Sequence, residues 1–212
     1  MAKFLTLNTH SWMEDEQEKK LDQLAERILQ EKYDVICLQE VNQEMESEQV
    51  VKAPFYHAVD GAIAIHKDHF AHCLVERLIE KGLIYHWSWA YNHIGFDRFH
   101  EGVAILSLNP LKPRELLVSD ANDPTDYHTR KVLLAETEVD GRLVTVASCH
   151  LSWWNKGFQE EWAQIEEELL QCNMPLVLMG DFNNPVGYEG YQHILRSPLA
   201  LQDSHAVAAT VI

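Results

Sequence analysis

The run Asp34-Val35-Ile36-Cys37-Leu38-Gln39-Glu40-Val41 and its later counterpart Leu176-Val177-Leu178-Met179-Gly180-Asp181-Phe182-Asn183 decide the reading of the fold. Each is a short continuous apolar stretch, as a strand buried on both faces requires, and each passes quickly into acidic or amide side chains. Two further stretches have the same form. Phe4-Leu5-Thr6-Leu7-Asn8 reads as a strand ending on an amide, and 143–149 as a strand ending on His150. Strand ends in α/β sheets are where a rigid scaffold presents side chains to a ligand. Taken singly these residues carry little: Asn8 reads as a turn residue, Glu40 as a helix cap, His150 as a satisfied core histidine, and Asp181 as an Asx-turn before Asn183. Five such residues from four separate strands point to a shared site. Carboxylates and amide oxygens are hard ligands suited to Mg²⁺ or Mn²⁺.

Between the strands, longer segments follow the helical period. Leu21, Leu24, Ala25, Ile28 and Leu29 fall at i, i+3, i+4, i+7 and i+8, with Asp15 and Glu18 as a variant capping box. A second helix is predicted over 68–81, stopped by Gly82, and a third carries Phe158, Trp162, Ile165 and Leu169 on one face. A short helix is predicted over 188–196. Further strands are predicted around 84–90, 103–108, 131–138 and 143–148, the last two joined by the hairpin signal Asp140-Gly141. No repeat, low-complexity tract or Pro/Gly/Ser linker interrupts the chain, so residues 1–212 read as one α/β domain.

The chain has 17 Lys and Arg against 33 Asp and Glu, a formal charge of −16, and is 46% hydrophobic. That is the composition of a soluble globular protein. No apolar run approaches the ~20 residues needed to cross a bilayer, and Met1 to His10 does not read as a signal peptide. A cytoplasmic protein without a membrane partner is expected. Cys37, Cys73, Cys149 and Cys172 are far apart and form no C-x-x-C pair, so neither a disulfide framework nor a structural zinc site is expected. A surface this acidic repels polyanions, which makes extended nucleic acid a poor partner. Glu160, Glu161, Glu166, Glu167 and Glu168 read as the wet face of the third helix. His66, His69 and His72 read as an exposed or half-buried set, because successive i+3 steps drift around a helix. Trp87 and Trp89 share one strand face and read as core. Trp153 and Trp154, just past His150, lie where a substrate would rest against aromatic faces. His93, Asp97 and Glu101 read as a loop that offers hydroxyl contacts or is loop structure alone.

Leu5-Thr6-Leu7-Asn8-Thr9-His10, 34–41, Thr129-Arg130-Lys131, Ala147-Ser148-Cys149-His150-Leu151 and Met179-Gly180-Asp181-Phe182-Asn183 together resemble the ordered motifs of the endonuclease/exonuclease/phosphatase superfamily. The resemblance covers essentially the whole chain. It implies a four-layer α/β sandwich, two mostly antiparallel sheets packed face to face with helices outside. It implies Glu40 as principal metal ligand with Asn8 beside it, and Mg²⁺ (or Mn²⁺) as cofactor. By the same resemblance Asp181 orients or activates the attacking water, Asn183 holds that water or a phosphate oxygen, and His150 touches the scissile phosphate. Arg130 is implied as a phosphate or scaffold contact. Asn8-Thr9-His10-Ser11-Trp12, Asn92-His93-Ile94-Gly95 and Gly187-Tyr188-Glu189-Gly190-Tyr191-Gln192 look most like a compact Gram-positive branch that includes maltose 6′-phosphate phosphatases. The expected activity is therefore Mg²⁺-dependent hydrolysis of a small sugar phosphate by in-line water attack, with Arg130, His93, Asp97, Trp153 and Trp154 as substrate contacts. A metal-dependent nuclease and a truncated binding module without turnover are the alternatives. The family closes on a strand and an Asp-His pair. Here Asp203-Ser204-His205 follows Asp181 too soon to be that pair, so His205 is read as structural or exposed. The C-terminal strands and the general base are expected to be missing from these 212 residues.

Overall fold

Period-two patterning in the strands resolves into two sheets with apolar side chains on both faces. The computed structural model describes residues 2–208. In the first sheet β1 (Phe4–Asn8) runs parallel to β2 (Val35–Glu44), and the hairpin of β3 (His86–Gly95) and β4 (Phe99–Ser107) adds to β2 in the order β1-β2-β4-β3. The second sheet has the order β5-β6-β7-β8, made by β5 (Lys112–Leu117), β6 (Lys131–Val139), β7 (Arg142–His150) and β8 (Leu176–Asp181). Its β7–β8 pair is parallel and the others antiparallel. Asp140 and Gly141 both take positive φ (49° and 74°) between β6 and β7, as a two-residue hairpin turn demands.

Alternation along each strand builds three apolar layers. Val35 and Cys37 of β2 meet Leu133 and Ala135 of β6 and Val146 of β7 between the sheets. Ile36 and Leu38 point the other way, against Leu21, Ala25 and Ile28 of α1 (Gln17–Glu31) and Leu74 and Leu78 of α2 (Phe70–Glu80). Val132, Leu134 and Cys149 do the same under Phe158 and under Trp162, Ile165 and Leu169 of α3 (Gln159–Leu169), all fully or nearly fully buried. Ile194 of α4 (Glu189–Leu195) packs at the margin of this layer, and α5 (Ser204–Val207) ends the described chain. The architecture is the expected four-layer α/β sandwich.

Several local expectations give way to tertiary context. The N-cap of α1 is Glu16 in a left-handed conformation, with no side-chain capping bond, so Asp15 and Glu18 form no capping box. β5 is a strand that the sequence hid. Leu176, Val177 and Leu178 are half-buried rather than enclosed, because β8, like β1, has one strand partner among the described residues. A groove of about 850 Å³ runs past this edge, lined by Phe4, Leu176, Leu178, Phe182, Ile194 and Leu201. Asp203 caps α5 by accepting from the His205 N–H (2.8 Å) and takes the Tyr191 hydroxyl (2.7 Å), which leaves His205 exposed. Glu161 is not on the wet face of α3: it is buried under the loop after β7.

His66, His69 and His72 are buried, not exposed. His69 caps α2 by accepting from the His72 N–H (3.3 Å), and its ring lies 5.2 Å and 4.6 Å from those of Trp87 and Trp89. His66 Nδ1 donates to the Glu44 carbonyl (2.8 Å). Burial pushes the proton affinity of His57, His69, His72, His86 and His100 below the ordinary histidine range, and that of His150 down to about 4. Unfolded histidines titrate near ~6.5, so below that pH the unfolded chain binds more protons than the folded one. Stability is therefore expected to rise with pH between about 4 and about 6.5, and to be lost on acidification through that window. A urea midpoint that already falls between about pH 7 and pH 5.5 agrees with this. A midpoint that stays flat until the carboxylate range contradicts it.

Candidate active site

Glu40 sits where β2 slips its register against β4, between Leu38 and Val41. Its backbone is left-handed (φ 54°), a conformation that costs a non-glycine residue about 1 kcal/mol or more and re-aims the side chain as bulges do. The turn after β1 holds it there. The Thr9 N–H and Oγ1 both donate to the Gln39 carbonyl (3.0 and 2.9 Å), and Ser11 Oγ donates to the Glu40 carbonyl (2.6 Å). On the second sheet His150 and Asp181 are directly paired at the ends of β7 and β8.

At this point the Asn8 amide joins the two sheets. Asn8 Nδ2 donates to Glu40 Oε1 (2.8 Å) and to Asp181 Oδ2 (3.1 Å). Asp181 Oδ1 accepts from the Asn183 N–H (2.9 Å), so the Asx-turn is present and leaves the second oxygen for the site. Asn183, itself left-handed (φ 50°), donates through Nδ2 to the Leu151 carbonyl (2.8 Å). His150 Nε2 lies 3.8 Å from Glu40 Oε1. Its imidazole is held neutral by burial first and by the Arg130 charge second, so this contact is not an ion pair at neutral pH.

Burial pushes the Glu40 carboxyl above its usual range, the charges of Glu101 and Asp181 push the same way, and the Asn8 hydrogen bond opposes them. Burial acts likewise on Glu101, but there the His93 hydrogen bond and the charges of His93, His150 and Arg130 prevail and hold the carboxyl low. A cleft of about 430 Å³ is lined by Glu40, His93, Glu101, Arg130, His150, Trp153, Asp181 and Asn183, with Phe96 and Tyr127 at its margin. Nε and Nη1 of Arg130 are buried without hydrogen-bond partners among the described residues.

The structure thus brings together Asn8, Glu40, His150, Asp181 and Asn183, with Arg130 and Trp153 beside them. It treats the other expected contacts differently. His93 and Glu101 are not in a loop but on the facing strands β3 and β4, where His93 Nδ1 donates to the Thr129 carbonyl (3.2 Å) and Nε2 lies 3.5 Å from Glu101. Asp97 is exposed in the turn between those strands and does not line the cleft. Trp154 turns away from the cleft to pack against Phe158 and His193, at ring separations of 6.0 and 5.5 Å. The reason is the wide turn over Trp154–Phe158, which lets only the first of the two tryptophans face the site. Sequence reasoning missed Phe96, Tyr127 and Glu161. Glu161 accepts from the N–H (2.8 Å) and Oγ (2.7 Å) of Ser152, fixing the loop that carries Trp153.

Among the described residues no group of three or more His, Cys, Asp or Glu side chains converges as a closed metal cage. Mg²⁺ does not ask for one, since it takes one or two carboxylates and keeps several waters. Glu40 and Asp181, bridged by a single amide, are a donor set of that kind, and burial first, then the charges of Glu101 and Asp181, raise the proton affinity of Glu40. The residues present fit a hard divalent cation.

A family model described as the Endonuclease/Exonuclease/phosphatase family matches residues 13–210. No match was found among curated proteins. Among solved structures, an endonuclease/exonuclease/phosphatase family protein from Leptotrichia buccalis is 28% identical with a TM-score of 0.85, the alignment covering 99% of this chain and 77% of that one. A conserved protein of unknown function from Enterococcus faecalis is 20% identical with a TM-score of 0.65, covering 97% and 75%. The human Nocturnin catalytic domain, with bound sulfate, is 18% identical with a TM-score of 0.61, covering 96% and 72%. The last two likenesses are of fold alone.

Proposed function

Because the chain belongs to the endonuclease/exonuclease/phosphatase family, whose members are generally metal-dependent hydrolases, we propose that it is a Mg²⁺-dependent phosphatase of a small sugar phosphate such as maltose 6′-phosphate. The observation that carries this reading is the single amide of Asn8 holding Glu40 and Asp181 together across the two sheets, at the floor of a cleft that also takes in Arg130. The cleft's volume of about 430 Å³ suits a phosphate with a ring or two and falls within the range of small-molecule sites. A chain at −16 gains little from a polyanion.

In this reading Glu40 would hold the cation with Asp181 close by, and Asn8 would add its amide oxygen by turning the Nδ2 that now donates to the two carboxylates; when bound, the ion would neutralise charge developing on the phosphoryl oxygens. Asp181 accepts a proton from the attacking water through Oδ2, the oxygen that faces Asn8, while the Asn183 N–H fixes the carboxylate's orientation through Oδ1. As the water oxygen bonds to phosphorus the ester P–O bond breaks, and the sugar oxygen leaves with a proton from solvent. The neutral imidazole of His150 hydrogen-bonds a phosphate oxygen without adding charge. Arg130 supplies the positive charge that the phosphate meets, and its unpaired donors favour an anion because a buried donor left unmade costs about 1–3 kcal/mol. Trp153 offers a face to the sugar.

A panel of phosphate esters assayed with and without Mg²⁺, beside plasmid nicking, tests the reading. Phosphate release from sugar phosphates that stops with EDTA supports it. Efficient DNA cleavage with silence across the sugar phosphates transfers the function to a nuclease.

A further inference from the structure

We propose that Phe96, Tyr127 and Trp153 form an aromatic collar around the cleft mouth that grips the ring of the ester's organic half, and so selects ring-bearing phosphomonoesters. The proposal rests on the phosphatase reading above and extends it to what the enzyme accepts. The three side chains are 60%, 62% and 57% exposed, and all line the cleft that holds Glu40, Arg130, His150 and Asp181. Single exposed aromatics are ordinary. Three of them, brought from distant segments to one polar cleft, are the kind of exposed apolar surface that marks a binding site.

Each ring is presented by a backbone that is already fixed. Phe96 occupies the β3–β4 turn with a left-handed backbone (φ 54°), its ring 6.4 Å from that of His10. Tyr127 lies in a segment tied down at several points. Asp123 Oδ1 accepts from the N–H and Oγ1 of Thr125 (2.9 and 2.8 Å), Thr129 Oγ1 donates to the Asp123 carbonyl (2.7 Å), and the Ile94 N–H of β3 donates to the Pro124 carbonyl (2.7 Å). The Tyr127 ring rests 3.9 Å from that of His128. Trp153 follows Ser152, which buried Glu161 anchors through two hydrogen bonds. Binding then costs little further ordering of the backbone, and rigid rings add contact area at small entropic cost.

The chemistry of the cleft selects the ligand class. Among the described residues its lining has one permanent cation, Arg130, which matches one phosphate rather than a chain of them. Carboxylates of Glu40, Glu101 and Asp181 occupy the floor, so the aromatic faces are left for the C–H face of a sugar or another flat ring. A lipid surface would also meet exposed aromatics, but a chain at −16 is repelled by anionic headgroups.

The test compares maltose 6′-phosphate with ethyl phosphate, which has no ring, in Phe96→Ala, Tyr127→Ala, Trp153→Ala and the triple variant. The ratio of KM for the sugar ester to KM for ethyl phosphate is expected to rise about tenfold per ring removed, within the range that stacking supports, with the loss falling on KM rather than kcat. A ratio that does not move overturns the collar while leaving the phosphatase reading in place. If the native chain hydrolyses neither ester with Mg²⁺, that reading fails, and saturation-transfer NMR with maltose 6′-phosphate judges the collar by itself. Transfer to the sugar protons that disappears in the triple variant supports the collar; no transfer to the native protein overturns it. Vesicle binding lost in the triple variant while the KM ratio holds also overturns it, in favour of a lipid surface.

Discussion

Replacing Glu40 by glutamine is expected to lower Mg²⁺-dependent phosphate release about a thousandfold, a loss of several kcal/mol of transition-state stabilisation, while the fold survives. The two halves of this expectation have separate causes. Burial and the neighbouring carboxylates of Glu101 and Asp181 already disfavour a negative charge at position 40, so a neutral side chain of the same shape relieves that repulsion. The glutamine Oε1 can keep the Asn8 hydrogen bond that the carboxylate accepts at 2.8 Å. What it cannot supply is the charge that would draw a divalent cation between the sheets. Thermal unfolding in EDTA is expected to show a midpoint equal to or above that of the native protein. Undiminished Mg²⁺-dependent turnover in this variant contradicts the assignment.

Gly180→Ala is expected to destabilise the protein by about 3 kcal/mol or more and to remove most activity with it. Gly180 lies between Met179 of the inter-sheet core and Asp181 of the site, with φ at 154°. A Cβ there would stand 2.0 Å from the Cys149 carbonyl oxygen and 2.9 Å from the Cys149 nitrogen, both backbone atoms of the paired strand. β7 and β8 would have to part at the step where His150 faces Asp181. Urea unfolding measures the stability and phosphate release the displacement of Asp181 from Asn8. A variant within about 0.5 kcal/mol of the parent, the range of a neutral surface change, contradicts the close approach.

What the sequence reveals of this protein follows from where the determining contacts lie. β2 and the strand ends at Asn8, Glu40, His150 and Asp181 are legible because an apolar run and the polar residue closing it sit side by side in the chain. β5 is not: Lys112-Pro113-Arg114-Glu115 is charged and lacks one N–H, a composition compatible with the outer position it occupies beside β6. The burial of His69 and His72 depends on Trp87 and Trp89, which β3 supplies from a distance, and that of His66 on the His100 ring and the Glu44 carbonyl. Glu161 belongs to an acidic run that is otherwise exposed or half-buried, and what sets it apart is Ser152 across a loop. Trp153 and Trp154 are indistinguishable as neighbours in sequence, and the turn over Trp154–Phe158 separates their fates. Phe96 and Tyr127 reach the cleft through a hairpin tip and a tied loop, neither of which carries a periodic signal.

The proposed site would hold one cation on Glu40 and Asn8 with Asp181 close by, and Mn²⁺ titration followed by the free-ion electron paramagnetic resonance signal tests that most directly. The native protein is expected to take up one Mn²⁺ per chain, displaced by excess Mg²⁺, with uptake weakened at least tenfold in Glu40→Gln and in Asp181→Asn, as loss of a carboxylate donor requires. Uptake that is the same in the native protein and in both variants would place the ion elsewhere and contradict the site.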